Sequence, residues 1–132
     1  MTIELYWLTL TIVMTALFWV PYILDRIVTL GLWPALSESK PELGRQSAWA
    51  DRAMQAHQNA VENLVIFAPA VLTAHALGVS TPTTKLAAMA YFLARLVHFV
   101  VYTAGIPVLR TLAFTAGWLA QFAILASILR WI

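Results

Sequence analysis

A stripe of polar side chains along an otherwise apolar helix is the feature that most constrains how this chain can fold. Residues 50–67, ADRAMQAHQNAVENLVIF, predict a helix, and at about 100° per residue one face roughly 120° wide collects most of its polar groups. That face consists of Asp51, Arg52, Gln55, Asn59, Glu62, Asn63 and Ile66. From Arg52 to Asn63 the stripe covers about 16 Å of helix, roughly half of the ~30 Å hydrocarbon core of a bilayer. Lipid cannot solvate these groups, so the stripe must face protein or a water-filled cavity.

The composition places this helix in a membrane protein. The chain of 132 residues is 61% hydrophobic and 11% charged, with a mean hydropathy of +0.79, whereas soluble domains carry about 25% charged residues. We therefore predict an all-α integral membrane protein. A net charge of +2 gives no indication of a nucleic-acid partner, and the absence of cysteine excludes a disulfide, a thiolate nucleophile and a cysteine metal site. We predict no metal site.

Four apolar segments, separated by turn-forming residues, define the predicted spans. They cover about residues 3–24, 48–77, 83–103 and 108–131 of a single membrane domain, 1–132. The connection of about 25–47 is rich in glycine, proline and charge, so we predict it to be the first loop. The first segment has neither a basic region before it nor a small-residue cleavage site, which favours a retained span over a signal peptide.

Basic residues predict the orientation. Those at one side of the membrane, around loop 1 and the turn between spans 3 and 4, are Arg26, Lys40, Arg45, Arg52 and Arg110. The opposite side has Lys85 and Arg130. Because basic residues concentrate in cytoplasmic loops, we predict that loops 1 and 3 are cytoplasmic and that both termini lie outside.

The third span carries a second polar face. Tyr91, Arg95, His98 and Tyr102 follow at i, i+4, i+7 and i+11, which aligns them along one side of a helix. An arginine inside a span costs about 2.5 kcal/mol or more on insertion scales. We therefore expect a carboxylate partner for it, and Glu62 is the predicted one. A purely structural Glu62–Arg95 pair is the alternative to a ligand site.

The cytoplasmic half of the predicted bundle thus gathers polar groups from different spans. They are Arg52, Asn59, Glu62, His98, Tyr102 and Arg110. Arginines and amides among aromatic hydroxyls suit a small, multiply charged anion with carboxylates, and an arginine can also stabilise a thiolate. We interpret His57, on the opposite side of its helix, as a packing contact, and His75, alone near the other membrane surface, as structural.

These residues resemble the signatures of a known family. The pattern Arg52-x-x-Gln55-Ala56-His57-Gln58-Asn59-x-x-Glu62-Asn63 is similar to the second helix of the MAPEG family, membrane-associated proteins in eicosanoid and glutathione metabolism. The pattern Arg95-x-x-His98-x-x-x-Tyr102, followed by Pro107 and Arg110, resembles the family's third helix and the start of its fourth. The resemblance covers nearly the whole chain. The short chain, without sorting tails, favours a bacterial-type member of this family in the inner membrane.

The resemblance implies a homotrimer of four-helix bundles that binds glutathione, as a co-substrate, at subunit interfaces open to the cytoplasm. By position, Arg110 matches the catalytic arginine that stabilises the glutathione thiolate. The residues that would bind or surround glutathione are Arg26, Arg52, Gln55, Asn59, Glu62, Arg95, His98 and Tyr102. The implied function is that of a glutathione transferase or glutathione-dependent peroxidase acting on lipophilic electrophiles, in contact with membrane lipid.

Departures from the family pattern leave alternatives open. Gln55 stands where several glutathione-using members have an arginine, and Asn63 and Phe114 stand where the eicosanoid synthases have tyrosines. These differences argue against an eicosanoid synthase. The first alternative is a non-catalytic binding or scaffold protein of the same fold. The second is a small proton-coupled transporter that uses Glu62, and a third is haem ligation by His75 and His98.

Overall fold

The computed structural model describes residues 1–37 and 46–132, and this part of the chain is helical, without strands. The helices are α1 (Ile3–Leu17), α2 (Trp19–Leu30), α3 (Leu32–Ser37), α4 (Ala48–Ala76), α5 (Pro82–Ala104) and α6 (Pro107–Ile128). The all-α prediction is therefore confirmed over the described ranges. Residues 38–45, which include Lys40 and Arg45 of the predicted loop, lie outside them.

A proline divides the first apolar segment. Pro21 has no N–H group, and its ring would clash with the carbonyl of Leu17, so a regular helix cannot continue through this point. As a result α1 ends at Leu17 and α2 begins at Trp19. The second piece runs on to Leu30, beyond the predicted end of the span at residue 24, because the next helix-breaking residue is Gly31, with a φ of 90°.

Within residues 1–37 and 46–132, three helical segments are long and apolar enough to cross a membrane. They are Ile3–Leu30, which joins α1 and α2, Pro82–Ala104 and Pro107–Ile128. The remaining long helix, α4, has 29 residues, but the amides, carboxylates and histidines along it lower its hydropathy below that of the other three. Many large apolar side chains on the outer faces are exposed, as expected for helices in contact with lipid.

Alanines let the long helices approach one another closely. The main core contains Ala70, Ala74, Ala87, Ala88 and Ala120, each at most 7% exposed, from α4, α5 and α6. Larger side chains fill the space between these contacts, and the rings of Phe67 and Tyr91 stack with centroids 3.8 Å apart. Small residues at helix interfaces are typical of packing inside membranes, where dispersion contacts replace the hydrophobic effect.

Two tight turns make α4, α5 and α6 antiparallel to their neighbours in sequence. The α4–α5 turn ends in a capping box, in which Thr81 caps the helix and exchanges hydrogen bonds with Thr84. The α5–α6 turn contains Gly105 at a φ of 80°. The start of α4, the end of α5 and the start of α6 therefore meet at one end of the bundle.

Candidate functional site

A buried arginine and an amide connect α5 to α4. Arg95 is 2% exposed, and its Nη2 donates to Asn59 Oδ1 at 2.6 Å. Asn63 Nδ2 donates to the backbone carbonyl of Asn59 at 2.9 Å and approaches Oδ1 at 3.3 Å. The guanidinium thus gains a neutral acceptor, and its positive charge stays inside the bundle.

The prediction that Glu62 is the carboxylate partner of Arg95 was wrong. Glu62 is exposed in the single subunit, and Arg95 bonds to Asn59 instead. The reason is the rotation of α4. Glu62 lies three residues, or about 60° around the helix, from Asn59, and this rotation turns its side chain away from α5 toward the outside of the subunit.

His98 continues the polar line from Arg95 toward the end of α5. It is 2% exposed, and its Nδ1 lies 3.5 Å from Arg95 Nη2. A guanidinium can only donate, so Nδ1 is the nitrogen that can accept in this contact. The rings of Tyr102 and Phe114 lie 5.5 Å and 6.2 Å away, so the imidazole is held among aromatic groups.

An arginine stacked on a tyrosine forms the more accessible part of this region. The guanidinium carbon of Arg110 lies 4.8 Å above the centroid of the Tyr102 ring, and both side chains are half-buried. The Tyr102 hydroxyl donates to Gln55 Oε1 at 3.4 Å. Stacking leaves the N–H groups around the edge of a guanidinium free to donate to a ligand.

A third arginine lies across the α5–α6 turn. Arg52 Nε donates to the backbone carbonyl of Thr103 at 3.0 Å. Its side chain passes directly over Gly105, where an added Cβ would lie 3.3 Å from Nε and 3.4 Å from Cζ. The absence of a side chain at this glycine therefore lets Arg52 approach the turn, and its remaining N–H groups are available to a ligand.

None of the three arginines has an acidic partner among the described residues. Within the part of the chain that the structure describes, Arg52, Arg95 and Arg110 contact amide, carbonyl, imidazole or aromatic groups, and none forms an ion pair with a carboxylate. Uncompensated guanidinium groups at one end of a helical bundle make a local positive potential. This region, from here on the arginine cluster, is suited to an anion.

A model of the MAPEG family matches residues 5–130 of this chain. The chain belongs to the MAPEG family. This confirms the resemblance seen in the two helical patterns, and it is consistent with a glutathione-related function at a membrane. No curated protein and no solved structure shows significant similarity to the chain.

The structure of this MAPEG protein brings most of the predicted site residues together. Those in contact around the arginine cluster are Gln55, Asn59, Arg95, His98, Tyr102 and Arg110, and Arg52 lies at the adjoining turn. Arg26 is 2% exposed in α2, a helix that packs against α4. Glu62 lies on the outer face of α4, apart from these contacts.

The other histidines of this MAPEG protein have different surroundings. His57 Nδ1 lies 2.8 Å from the Tyr22 hydroxyl, and the Phe18 ring packs edge-on against the imidazole. The predicted packing role of His57 is confirmed. His75 is exposed at the opposite end of the bundle. Over residues 1–37 and 46–132, His, Asp and Glu side chains form no group of three or more that could hold a metal ion.

Sequence patterns missed two contributors to this region. Phe114 was considered only as the replacement of a tyrosine, yet its ring contacts His98, and the Arg95 guanidinium carbon lies 6.0 Å from its centroid. Gly105 lies in the α5–α6 turn, and its contact with Arg52 depends on how α4 lies beside that turn. No pattern within a single helix could have indicated either contact.

Proposed function

We propose that this MAPEG protein is a membrane-bound glutathione transferase or glutathione-dependent peroxidase that acts on lipophilic electrophiles. The observation that carries the proposal is the arginine cluster, whose three guanidinium groups have no carboxylate partner in the described residues. Glutathione has carboxylates at both ends and a thiol that can ionise, so it is an anion of matching charge. Membership in a family linked to glutathione supports the same conclusion.

The exposed polar stripe of α4 supports a trimer of four-span subunits. Gln55 and Glu62 are exposed on a helix that packs along the three candidate spans of the described residues. In lipid, such groups need cover from protein or water. A second copy of the chain would supply this cover, with glutathione bound between the copies. We place loops 1 and 3 in the cytoplasm and both termini outside the inner membrane.

Arg110 has the central role in the proposed reaction. Its edge N–H groups donate to the glutathione sulfur and favour the thiolate over the thiol. The sulfur electron pair then attacks an electrophilic carbon, forming a C–S bond as the leaving group departs with its electron pair. In the peroxidase reaction it attacks a peroxide oxygen instead, forming glutathione sulfenic acid as the O–O bond breaks and the alkoxide leaves with a proton from water. A second glutathione condenses with the sulfenic acid to give the disulfide and water. Arg52, Asn59, Glu62 and Arg26 bind the peptide and its charged ends. The electrophile enters from the bilayer.

One structural observation favours the non-catalytic alternative. Gln55, which stands where other members have an arginine, accepts a hydrogen bond from the Tyr102 hydroxyl. That hydroxyl is one of the groups proposed to contact glutathione, and here it bonds within the protein instead. A scaffold or binding protein would keep the positive cluster without activating a thiol. The transporter alternative is weaker, because the three arginines of the cluster would repel a cation.

Binding of glutathione to the detergent-purified protein is the direct test. We expect saturable binding by calorimetry and ultraviolet absorbance of a bound thiolate near neutral pH. S-methylglutathione, which keeps the carboxylates but has no ionisable thiol, should bind without the thiolate signal. Binding of both compounds without any thiolate would favour the scaffold. No binding at millimolar concentrations of either compound would overturn the glutathione proposal.

Substitution of Gly105 by asparagine is expected to weaken glutathione binding about tenfold by displacing Arg52, because a bond from a charged donor contributes roughly 1.5–3 kcal/mol. The φ of Gly105 is +80°, and its Cβ would lie 3.3 Å from Arg52 Nε. Asparagine tolerates a left-handed conformation better than most residues, so the contact with Arg52 is the larger effect. Calorimetric titration with glutathione measures the loss.

Gly78→Asn is the matched control for this prediction. Gly78 has a similar φ of +70°, but no atom lies within 4 Å of its added Cβ. Both variants therefore carry the same backbone strain, and only one disturbs Arg52. Equal glutathione affinities in the two variants would show that Gly105 serves the turn alone.

A further inference from the structure

A buried carboxylate lies at the end of the bundle opposite the arginine cluster. Glu4, in the first turn of α1, is only 3% exposed. Its Oε1 accepts a hydrogen bond from the Thr84 hydroxyl at 2.6 Å and another from the Ser80 hydroxyl at 2.9 Å. The first turn of α1 is thereby fixed to the α4–α5 turn. This part of the molecule has no place in the proposed glutathione reaction.

In the part of the chain that the structure describes, no direct partner neutralises the charge of this carboxylate. Among the described residues, no basic group forms an ion pair with Glu4, and Lys85 acts on it only at longer range. Burial of a charged carboxylate is costly unless donors and an opposite charge surround it. Oε2 receives only the 3.2 Å contact from Ser80, so it retains capacity to accept a stronger bond.

A cavity lies beside this carboxylate. Its volume is about 260 Å³, and its walls are formed by Thr2, Glu4, His75, Gly78, Val79 and Ser80. The cavity is at the beginning of the candidate span Ile3–Leu30, which is the level of lipid headgroups. Exposed apolar side chains at the same end, Ile3 and Leu77, provide surface for the hydrocarbon part of a lipid.

We propose that this cavity binds a primary ammonium group, supplied by the headgroup of an aminophospholipid such as phosphatidylethanolamine. An ammonium group brings the missing positive charge to Glu4 and has N–H donors for Oε2. The imidazole of His75 and the hydroxyl of Thr2 line the same cavity and can accept further N–H bonds. A trimethylammonium headgroup has no N–H donor and fits this chemistry poorly. A free primary amine shares the chemistry but lacks the acyl chains.

Lipid retention in nanodiscs tests the proposal with the intact protein. Wild-type protein, placed in an equal mixture of phosphatidylethanolamine and phosphatidylcholine, should retain the former about tenfold more in native mass spectra, as expected for one charge-assisted hydrogen bond. Glu4→Gln, which keeps an oxygen acceptor for Thr84 but removes the charge, should retain both lipids equally. Equal retention of both lipids by the wild-type protein would by itself overturn the proposal.

Thr84→Val separates ligand binding from the structural role of Glu4. This variant loses the 2.6 Å bond that fixes α1 but keeps the carboxylate, so it should be less stable and still prefer phosphatidylethanolamine. If the Thr84→Val variant and the Glu4→Gln variant both lose the preference for phosphatidylethanolamine, the carboxylate only fixes the turn and the proposal fails. Free ethanolamine, added to phosphatidylcholine nanodiscs, distinguishes the sources. Thermal stabilisation of the wild type but not of Glu4→Gln would show that the ammonium group alone suffices.

Discussion

Replacement of Asn59 by leucine is expected to destabilise the fold by roughly 1.5–3 kcal/mol, the contribution of a hydrogen bond to a charged group. Asn59 Oδ1 accepts the 2.6 Å bond from Arg95, and Arg95 is 2% exposed. Leucine has a similar volume, so the loss is that of the acceptor rather than of packing. The free energy of unfolding in detergent, followed by circular dichroism, measures the effect.

Two further variants isolate the cause of this loss. Gln58→Leu makes the same change of side chain at an exposed position of α4, and it should stay within about 0.5 kcal/mol of the wild type. The double variant Asn59→Leu/Arg95→Met removes both the acceptor and the charge, so it should recover most of the lost stability. If the double variant is as unstable as Asn59→Leu, the buried charge is not the reason.

Replacement of Arg110 by methionine is expected to abolish the glutathione thiolate at neutral pH and to lower kcat by about 10²–10³-fold. The guanidinium lies on the Tyr102 ring, and methionine keeps contact with the ring while removing the charge and its donors. The pKa of the bound thiol should therefore rise, so the thiolate appears only at higher pH. Ultraviolet titration of the complex and turnover with a lipophilic electrophile measure these effects.

Arg130→Met is the control for this prediction, because Arg130 is an exposed arginine beyond the end of α6, far from the cluster. It should keep the thiolate signal and the turnover. Arg110→Lys should restore part of both, since it returns the charge without the planar fork of donors. A full thiolate signal in Arg110→Met would assign thiolate stabilisation to another group, with Arg52 as the first candidate.

The surroundings of Arg95 follow partly from the sequence and partly from the packing of α4 against α5. The spacing in the sequence placed this arginine on a polar face with His98 and Tyr102, and the structure brings these residues together. The hydrogen-bond partner of Arg95 did not follow from the sequence. The sequence offered Glu62 as the obvious opposite charge, but the rotation of α4 presents Asn59 to α5. Charge alone cannot select between residues whose directions differ by about 60° on one helix.

The Glu4 cavity had no signal in the sequence. Glu4 lies in the first turn of α1, whereas Ser80 and Thr84 lie around the start of α5. The hydrogen bonds of Glu4 to these two hydroxyls join parts of the chain that are far apart in sequence. Periodicity describes one helix at a time, so contacts of this kind are invisible to it.

Local chemistry therefore determined several features of this protein on its own. Long apolar segments required membrane helices, the pattern of polar residues required faces that avoid lipid, and ordered motifs on α4 and α5 indicated the MAPEG family. Only the tertiary structure decided which polar groups meet, because partner choice depends on helix rotation and on close approach at small residues such as Gly105. These are properties of two elements together, and no single stretch of sequence encodes them.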